Sequence, residues 1–394
     1  MAIPEYKACA GGESRTEHRR VRSSSAHSRS GCRMTPQTLA ARPDRPRRLE
    51  ALDLLRFMAA VSVVLYHYLF RGWQNNEFFS VRFDRGGEDF RYGYLGVELF
   101  FVISGFVIPL SCDGRSPREF VQSRITRLYP AYVLAVLLTW GVTSLFGSRT
   151  LHFSIVEMLV NLTMFQQFLG VRNVDGVYWT LTRELLFYVF IYLCLWRGWA
   201  RRIEVPLAIW TLWSFAAPFL RLGKVAIVLT NADYSGYFIA GSTLFLLYRR
   251  GRSAFRLALL GGALALMHLQ AAWKADRLIE ATGHAHPWWL LVLINSAMVA
   301  GVAVLVFKEF RLWGGAVSAE IGAMTYPLYL LHAHLGYVAL SRASDATKWF
   351  VATGTFAAVL LLSWFIVRYW ERPLQRRIRA LFARSADRPP VLAP

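Results

Sequence analysis

Stretches of about twenty apolar residues recur along this chain from Leu52 almost to its end, and they limit the folds open to it. In hydrocarbon every backbone N–H and C=O must be satisfied within the protein, so such segments span as helices or close into a barrel. The runs here are continuous rather than alternating, which is the pattern of helices. Composition agrees: 55% of residues are hydrophobic, 15% aromatic and only 18% charged, with mean hydropathy +0.32. The predicted fold class is all-α, a polytopic membrane helix bundle.

Spans are predicted at 52–70, 94–111, 128–147, 179–197, 203–220, 234–249, 254–272, 288–307, 321–340 and 349–368. In the stretch 151–170, Glu157, Asn161, Gln166 and Gln167 interrupt the apolar pattern. Charge decides its reading, because Lys and Arg accumulate in cytoplasmic loops. With 151–170 at the surface or re-entrant, Arg115, Arg118, Arg124, Arg127, Arg197, Arg201, Arg202, Arg249, Arg250, Arg252, Arg256, Lys308 and Arg311 all fall on one side. The opposite loop 71–93 is balanced, with four arginines against four acids. We therefore expect about ten spans with both termini cytoplasmic.

The net charge of +20 follows the same placement. It sits in a basic N-terminal segment and in short loops, where it holds the chain against an anionic inner leaflet. No compact soluble domain presents a basic groove, so no nucleic-acid partner is expected.

Residues 1–48 are polar, Arg- and Ser-rich, and expected to be disordered. They hold no apolar core of a signal peptide. Met34 offers a shorter start, so residues 1–33 are read either as an arm or as a mis-assigned beginning. The membrane domain is expected over 49–373, followed by a cytoplasmic tail, 374–394. Cys9, Cys32, Cys112 and Cys194 are scattered. They form neither a disulfide framework nor a metal-ligand spacing, and no metal is expected.

Ionisable residues at membrane depth are costly, by at least about 2.5–3.5 kcal/mol each on insertion scales, and so mark function. Arg56 and His67 lie eleven residues apart in the first run. Eleven steps of about 100° return to the same face after a rise of about 16 Å. A snorkelling arginine and a headgroup-level histidine are the plainer alternative. Asp53, Arg56, Arg124, Arg127, Glu371 and Arg372 are expected near the cytoplasmic side. His67, Glu98 and Glu184 are expected near the outer side. A histidine beside a carboxylate is a competent general base, so Glu98 or Glu184 is expected to orient His67. The other reading of that pair is a structural tie between helices. Arg124 and Arg127, at i and i+3, share a face suited to phosphate oxygens, or else serve only as an anchor to the inner leaflet. Trp179, Tyr326 and His332 are candidates for the wall of a substrate cavity. His332 just after Pro327 reads equally well as a satisfied core histidine.

Several segments together resemble the acyltransferase-3 family of bacterial membrane O-acyltransferases, over roughly residues 50–373. The first helix carries Arg56 and His67 in the family's Arg-x10-His spacing, and the second reads Gly96-Val97-Glu98-Leu99-Phe100-Phe101 through Ser104-Gly105-Phe106. Arg124-Ile125-Thr126-Arg127 matches its Arg-x-x-Arg. Trp179-Thr180-Leu181-Thr182-Arg183-Glu184, Tyr326-Pro327-Leu328-Tyr329-Leu330-Leu331-His332 and Glu371-Arg372-Pro373 follow in order.

The resemblance implies ten spans in the bacterial inner membrane and no permanently bound cofactor. Cytoplasmic acyl-coenzyme A, usually acetyl-coenzyme A, is the implied co-substrate. The implied acceptor is a hydroxyl on an extracytoplasmic or membrane-associated glycan; small hydroxylated natural products of macrolide type also occur among relatives. It implies His67 as catalytic base and Arg56, Arg124 and Arg127 as donor-binding. Some members carry a C-terminal hydrolase-like domain. Here a separate periplasmic transfer partner is expected if one is needed. A secondary transporter is the competing class, since it also buries His, Glu and Arg in a bundle.

Overall fold

The computed structural model describes residues 50–83, 86–220, 223–308 and 315–386. The N-terminal segment 1–48, with its predicted disorder and its two possible starts, lies outside these residues, as does Arg311. Residues from Pro46 onward form one compact unit. Among the described residues there is no strand. The helices are α1 Glu50–Leu65, α2 Leu95–Cys112, α3 Pro117–Phe146, α4 Ile155–Asn161, α5 Trp179–Trp196, α6 Glu204–Ala216 and α7 Lys224–Leu229. They continue with α8 Ser235–Arg250, α9 Ala254–Thr282, α10 Trp288–Phe307, α11 Gly315–Leu340, α12 Lys348–Phe365 and α13 Arg372–Ala386.

Among the described residues, seven segments are long and apolar enough to cross a membrane: Glu50–Gln74, Glu88–Cys112, Pro117–Phe146, Gly176–Trp196, Ala254–Ile279, Trp288–Phe307 and Lys348–Arg384. The other three predicted spans fall on α6, α8 and α11. Helix α6 has 13 residues and α8 has 16, too few at 1.5 Å each to cover a core of about 30 Å. Helix α11 has 26 residues but carries Glu320, Thr325, His332 and His334. Its side chains around His332 are buried against other helices rather than facing lipid, so they need not be apolar. The same is true of α8, buried continuously from Ser235 to Leu247.

Between lipid-like surroundings there is little hydrophobic force, so helices associate through close backbone contact. The α2–α8 pair shows this. A Cβ on Gly105 would sit 2.3 Å from the Phe238 carbonyl, and one on Gly241 would sit 2.0 Å from the Val102 carbonyl. The contact that positions the site is α1 on α11. A Cβ on Gly336 would overlap the Tyr68 ring at 2.1 Å, and the absent side chain lets the Tyr68 hydroxyl donate to the His332 carbonyl at 3.1 Å.

Loop contacts define two ends. At one, Arg249 pairs with Asp113, and Arg250 and Arg256 bind Glu204 at 3.5 and 2.7 Å. This is called the arginine end below. At the other, His284 meets Glu88 at 2.9 Å and Arg342 donates to the Phe146 carbonyl at 2.7 Å. This is the histidine end.

Residues 149–176 do not cross. A capping box, Ser154 with Glu157, starts the seven-residue helix α4. The segment then runs beside α3 from Trp140, which donates to the Phe153 carbonyl, to Tyr129, which donates to the Thr163 carbonyl. Eleven helical residues separate those levels, about 16 Å. Buried Asn161 closes the dip, bonding the Glu157 and Arg172 carbonyls and the Val174 amide. The segment is thus re-entrant alongside α3.

Beyond residue 373, where the sequence suggests only a tail, the chain stays helical to Ala386. Five arginines, 372, 376, 377, 379 and 384, make α13 a basic amphipathic helix.

Candidate functional site

Two stretches wind as π turns, Tyr66–Phe70 at the end of α1 and Ile366–Glu371 after α12. Such turns are rare and gather at functional sites because they redirect a side chain. One carries His67 and the other Glu371.

His67 does not touch a carboxylate. Its Nδ1 lies 2.8 Å from the Val63 carbonyl and 3.1 Å from Nε2 of His332. The two rings meet edge to face, 4.9 Å between centroids. His332 Nδ1 in turn lies 2.8 Å from the Tyr329 carbonyl. A carbonyl only accepts, so each Nδ1 carries a proton when its ring is neutral. His332 Nε2 then accepts from His67, and His67 Nε2 keeps its lone pair. His332 is fully buried and His67 only partly so. The expectation that Glu98 or Glu184 orients His67 is corrected: both carboxylates are held elsewhere, by partners the sequence reading did not include.

Glu98, fully buried, pairs with Lys274 of α9, whose ammonium lies over the rings of Tyr94 at 4.5 Å, Tyr234 at 5.5 Å and Trp179 at 5.8 Å. A second pair, Arg183 with Asp233 at 2.7 Å, shares the Tyr234 ring. Trp179 therefore packs on this charged cluster at the histidine end, 5.2 Å from Tyr234.

Glu184 lies deeper than expected. It accepts from Tyr188 at 2.6 Å, one helical turn along α5, and from Ser104 at 3.3 Å. Its charge faces Arg56. Tyr188 in turn lies under Arg124, 5.7 Å from its guanidinium. Glu184 thus joins the arginine group instead of the histidine pair.

At the arginine end α3 begins with Pro117 and a capping box of Ser116 and Glu119, which fixes Arg124 and Arg127 two and three turns in. Arg127 pairs with buried Glu371 at 2.8 Å, and Gln375 also donates to that oxygen at 2.7 Å. Arg372 pairs with Glu320. Arg124 has no acid: it reaches Ser123 at 3.1 Å and Ser111 at 3.4 Å, and its buried Nε is unpartnered. Among the described residues Arg56 makes no hydrogen bond or ion pair. It lies near Asp53, Arg127, Glu184 and Tyr188. Tyr326 lies 6.0 Å from the Arg127 guanidinium, and its buried hydroxyl has no partner. Guanidiniums without an ion pair, Arg56 and Arg124, in the same region as a free tyrosine hydroxyl suit an anion with several oxygens.

His334, like His332, is saturated, but by backbone groups alone. Its Nδ1 bonds the Val174 carbonyl at 2.7 Å and its Nε2 takes the Gly176 amide at 3.1 Å. Asp175 caps this junction by accepting from the His334 and Val177 amides. Both tie the re-entrant segment to α11. Buried Cys112, at the end of α2, and Cys194 of α5 are free thiols. A groove lined by Ser116, Arg118, Gln122, Tyr192 and Phe382 opens near the arginine end but contains none of the candidate residues. Among the described residues no three His, Cys, Asp or Glu converge as a metal site.

Lys274 was not foreseen, because it follows the predicted span 254–272 and reads there as an interfacial charge. The helix in fact continues to Thr282, burying Ala271 and Ala275 one turn apart beside it. That i, i+4 pair is the signal that extends the helix and turns Lys274 inward.

The profile of the acyltransferase domain, acyltransferase-3, matches residues 49–368. Nodulation protein 10 of Rhizobium leguminosarum bv. viciae is 25% identical over 374 residues, 84% of this chain and 95% of that protein. Exopolysaccharide production protein ExoZ of Rhizobium meliloti is 34% identical over 119 residues, 27% of this chain and 35% of its own. The putative peptidoglycan O-acetyltransferase YrhL of Bacillus subtilis is 34% identical over 113 residues, 27% of this chain and 15% of its own. No solved structure matches significantly.

Proposed function

The chain belongs to the acyltransferase-3 family, a family of multi-pass membrane acyltransferases, and we propose that it moves an acyl group from acyl-coenzyme A to a glycan hydroxyl. Acetyl-coenzyme A is the donor of choice. The observation that carries the reading is the division of labour along α1: an unpaired guanidinium, Arg56, near one end and a histidine with a free Nε2, His67, about 16 Å further along.

The arginine end is assigned to the cytoplasm of the bacterial inner membrane, because loops 113–117, 197–204 and 249–256 concentrate arginine there. Ten passes, counting α6, α8 and α11, put both termini on that side. The donor's diphosphate then binds Arg56 and Arg124, with Arg127 shared between it and Glu371. Its thioester arm extends along Tyr326 and Glu184 toward His67.

The acceptor hydroxyl approaches His67 from the outer side. Its oxygen attacks the thioester carbon as His67 Nε2 takes its proton. The tetrahedral oxyanion collapses, the carbon–sulfur bond breaks, and the leaving thiolate takes the proton back from the imidazolium. The products are an ester and free coenzyme A. Val63 and His332 stabilise the imidazolium through Nδ1. The names of two relatives, an exopolysaccharide production protein and a putative peptidoglycan O-acetyltransferase, support a glycan acceptor over a small natural product.

The test supplies radiolabelled acetyl-coenzyme A and a bacterial glycan to the purified protein in vesicles. Label on the glycan from wild type and none from His67→Ala supports the proposal. Label on a macrolide-type hydroxyl but on no glycan changes the acceptor, and label retained on His67 after acid quench replaces direct transfer with an acyl-enzyme. No transfer, with proton-coupled solute uptake instead, refutes it.

A further inference from the structure

His332 sits on the side of His67 away from its free nitrogen, fully buried and bound to nothing that moves. We propose that His332 is a positioning residue, which sets the tautomer and ring angle of His67 so that Nε2 is the base. The inference rests on the acyl-transfer reading of the same site and adds to it the orientation of His67 before the proton moves.

Two backbone carbonyls carry the argument. The Tyr329 carbonyl, 2.8 Å from His332 Nδ1, fixes that ring with its Nε2 unprotonated. The Val63 carbonyl, 2.8 Å from His67 Nδ1, fixes the proton there. The contact between the rings, 3.1 Å from Nδ1 to Nε2, is then a donor meeting an acceptor. No other assignment of two neutral rings satisfies all three contacts. One carbonyl on the same helix leaves the ring of a half-buried histidine free to tilt; a second acceptor on α11 shares the same Nδ1 proton in a three-centre bond and fixes the ring against a second helix.

The support behind His332 is itself rigid. Its own carbonyl accepts from Tyr68 at 3.1 Å, which lies one residue beyond His67 in the π turn. Gly336 makes room for that tyrosine ring. Tyr329, whose carbonyl holds His332, is pinned by its hydroxyl to Thr180 at 2.9 Å. A neutral acceptor at this place also suits the chemistry better than a carboxylate would. It fixes the base without raising its affinity for the proton so far that the thiolate fails to recover it.

His332→Leu and His332→Gln test this, because a Gln carbonyl reaches the position of Nε2 and accepts, whereas Leu cannot. The expected result is a fall of about 10²-fold in kcat for His332→Leu with the KM for acetyl-coenzyme A unchanged, and recovery of most of the loss in His332→Gln. The second readout needs no activity. In protein labelled with 15N-histidine, the resonances of His67, assigned by their disappearance in His67→Ala, should report a protonated Nδ1 in wild type and a mixture of tautomers in His332→Leu. Wild-type kcat in His332→Leu overturns the inference, as does a wild-type His67 protonated on Nε2. The spectrum stands even if the Leu variant does not fold or the protein proves not to transfer acyl groups, so the two failures are distinguishable.

Discussion

The two ends of this bundle treat buried charge in opposite ways. At the histidine end the deep cations are neutralised: Lys274 by Glu98 and Arg183 by Asp233. At the arginine end Arg127 and Arg372 are paired, whereas among the described residues Arg56 and Arg124 form no ion pair, although Asp53 and Glu184 lie near Arg56. Removing one partner of a buried pair costs about 3–5 kcal/mol, so a paired cation at membrane depth is a structural commitment. An unpaired one is tolerated only where something else supplies negative charge. On the proposed reading, the comparison separates a framework on the acceptor side from a binding surface on the donor side.

The largest effect is expected at neither set of charges but at the base between them. His67→Ala should lower kcat by about 10²–10⁴-fold while leaving acetyl-coenzyme A binding intact, measured by transfer and by equilibrium binding side by side. Next comes Glu98→Gln, which strands the Lys274 ammonium. Folded yield and thermal stability in detergent should fall by the equivalent of about 3–5 kcal/mol, and the double variant Glu98→Leu with Lys274→Met should recover most of it. If Glu98→Gln instead folds normally and loses only acceptor turnover, the acceptor-side pair is functional and the comparison fails.

Arg56→Ala and Arg124→Ala should each raise the KM for acetyl-coenzyme A by about 10–100-fold, from the loss of one charge-assisted contact of about 1.5–3 kcal/mol. Arg124→Ala should not reduce thermal stability, since among the described residues no acid pairs with it. The smallest effect concerns Glu157 in the re-entrant segment. Its carboxyl is held down to about 2, from an ordinary 4.5, chiefly by the Arg172 guanidinium and then by the Ser154 cap. A depressed carboxylate stabilises above its unfolded value and loses that contribution as pH falls toward the folded one. Amide exchange in 152–174 should therefore quicken between about pH 4.5 and 2, and Glu157→Gln should remove that pH dependence.

The helices most legible in the sequence were the long apolar ones, most of them with an exposed face, although α2 is itself largely buried. Helices α1, α2, α3, α5, α9, α10 and α12 announce themselves by hydropathy, and their predicted positions coincide with apolar helices. Helices α8 and α11 are surrounded by protein, so hydropathy no longer constrains them; motifs and loop charge locate them instead. Among site residues, Arg56, Arg124, Arg127 and His67 were visible because an ionisable group in an apolar run is anomalous by itself. Pairings were not. Glu98 and His67 sit near the same end of antiparallel neighbours, and proximity alone favours their contact. The outcome turns on Lys274, 176 residues away from Glu98, which claims the carboxylate and leaves His67 to His332. Partner choice among buried charges depends on which helices are adjacent, a property of the assembled bundle.

Equilibrium binding of acetyl-coenzyme A to wild type, His67→Ala and the double variant Arg56→Ala with Arg124→Ala tests the division of labour most directly. Wild type and His67→Ala should bind alike, and the arginine variant should bind about 10²-fold or more weakly. Wild-type affinity in the arginine variant would contradict the account, because the donor would then lie elsewhere and the unpaired guanidiniums would serve some other anion.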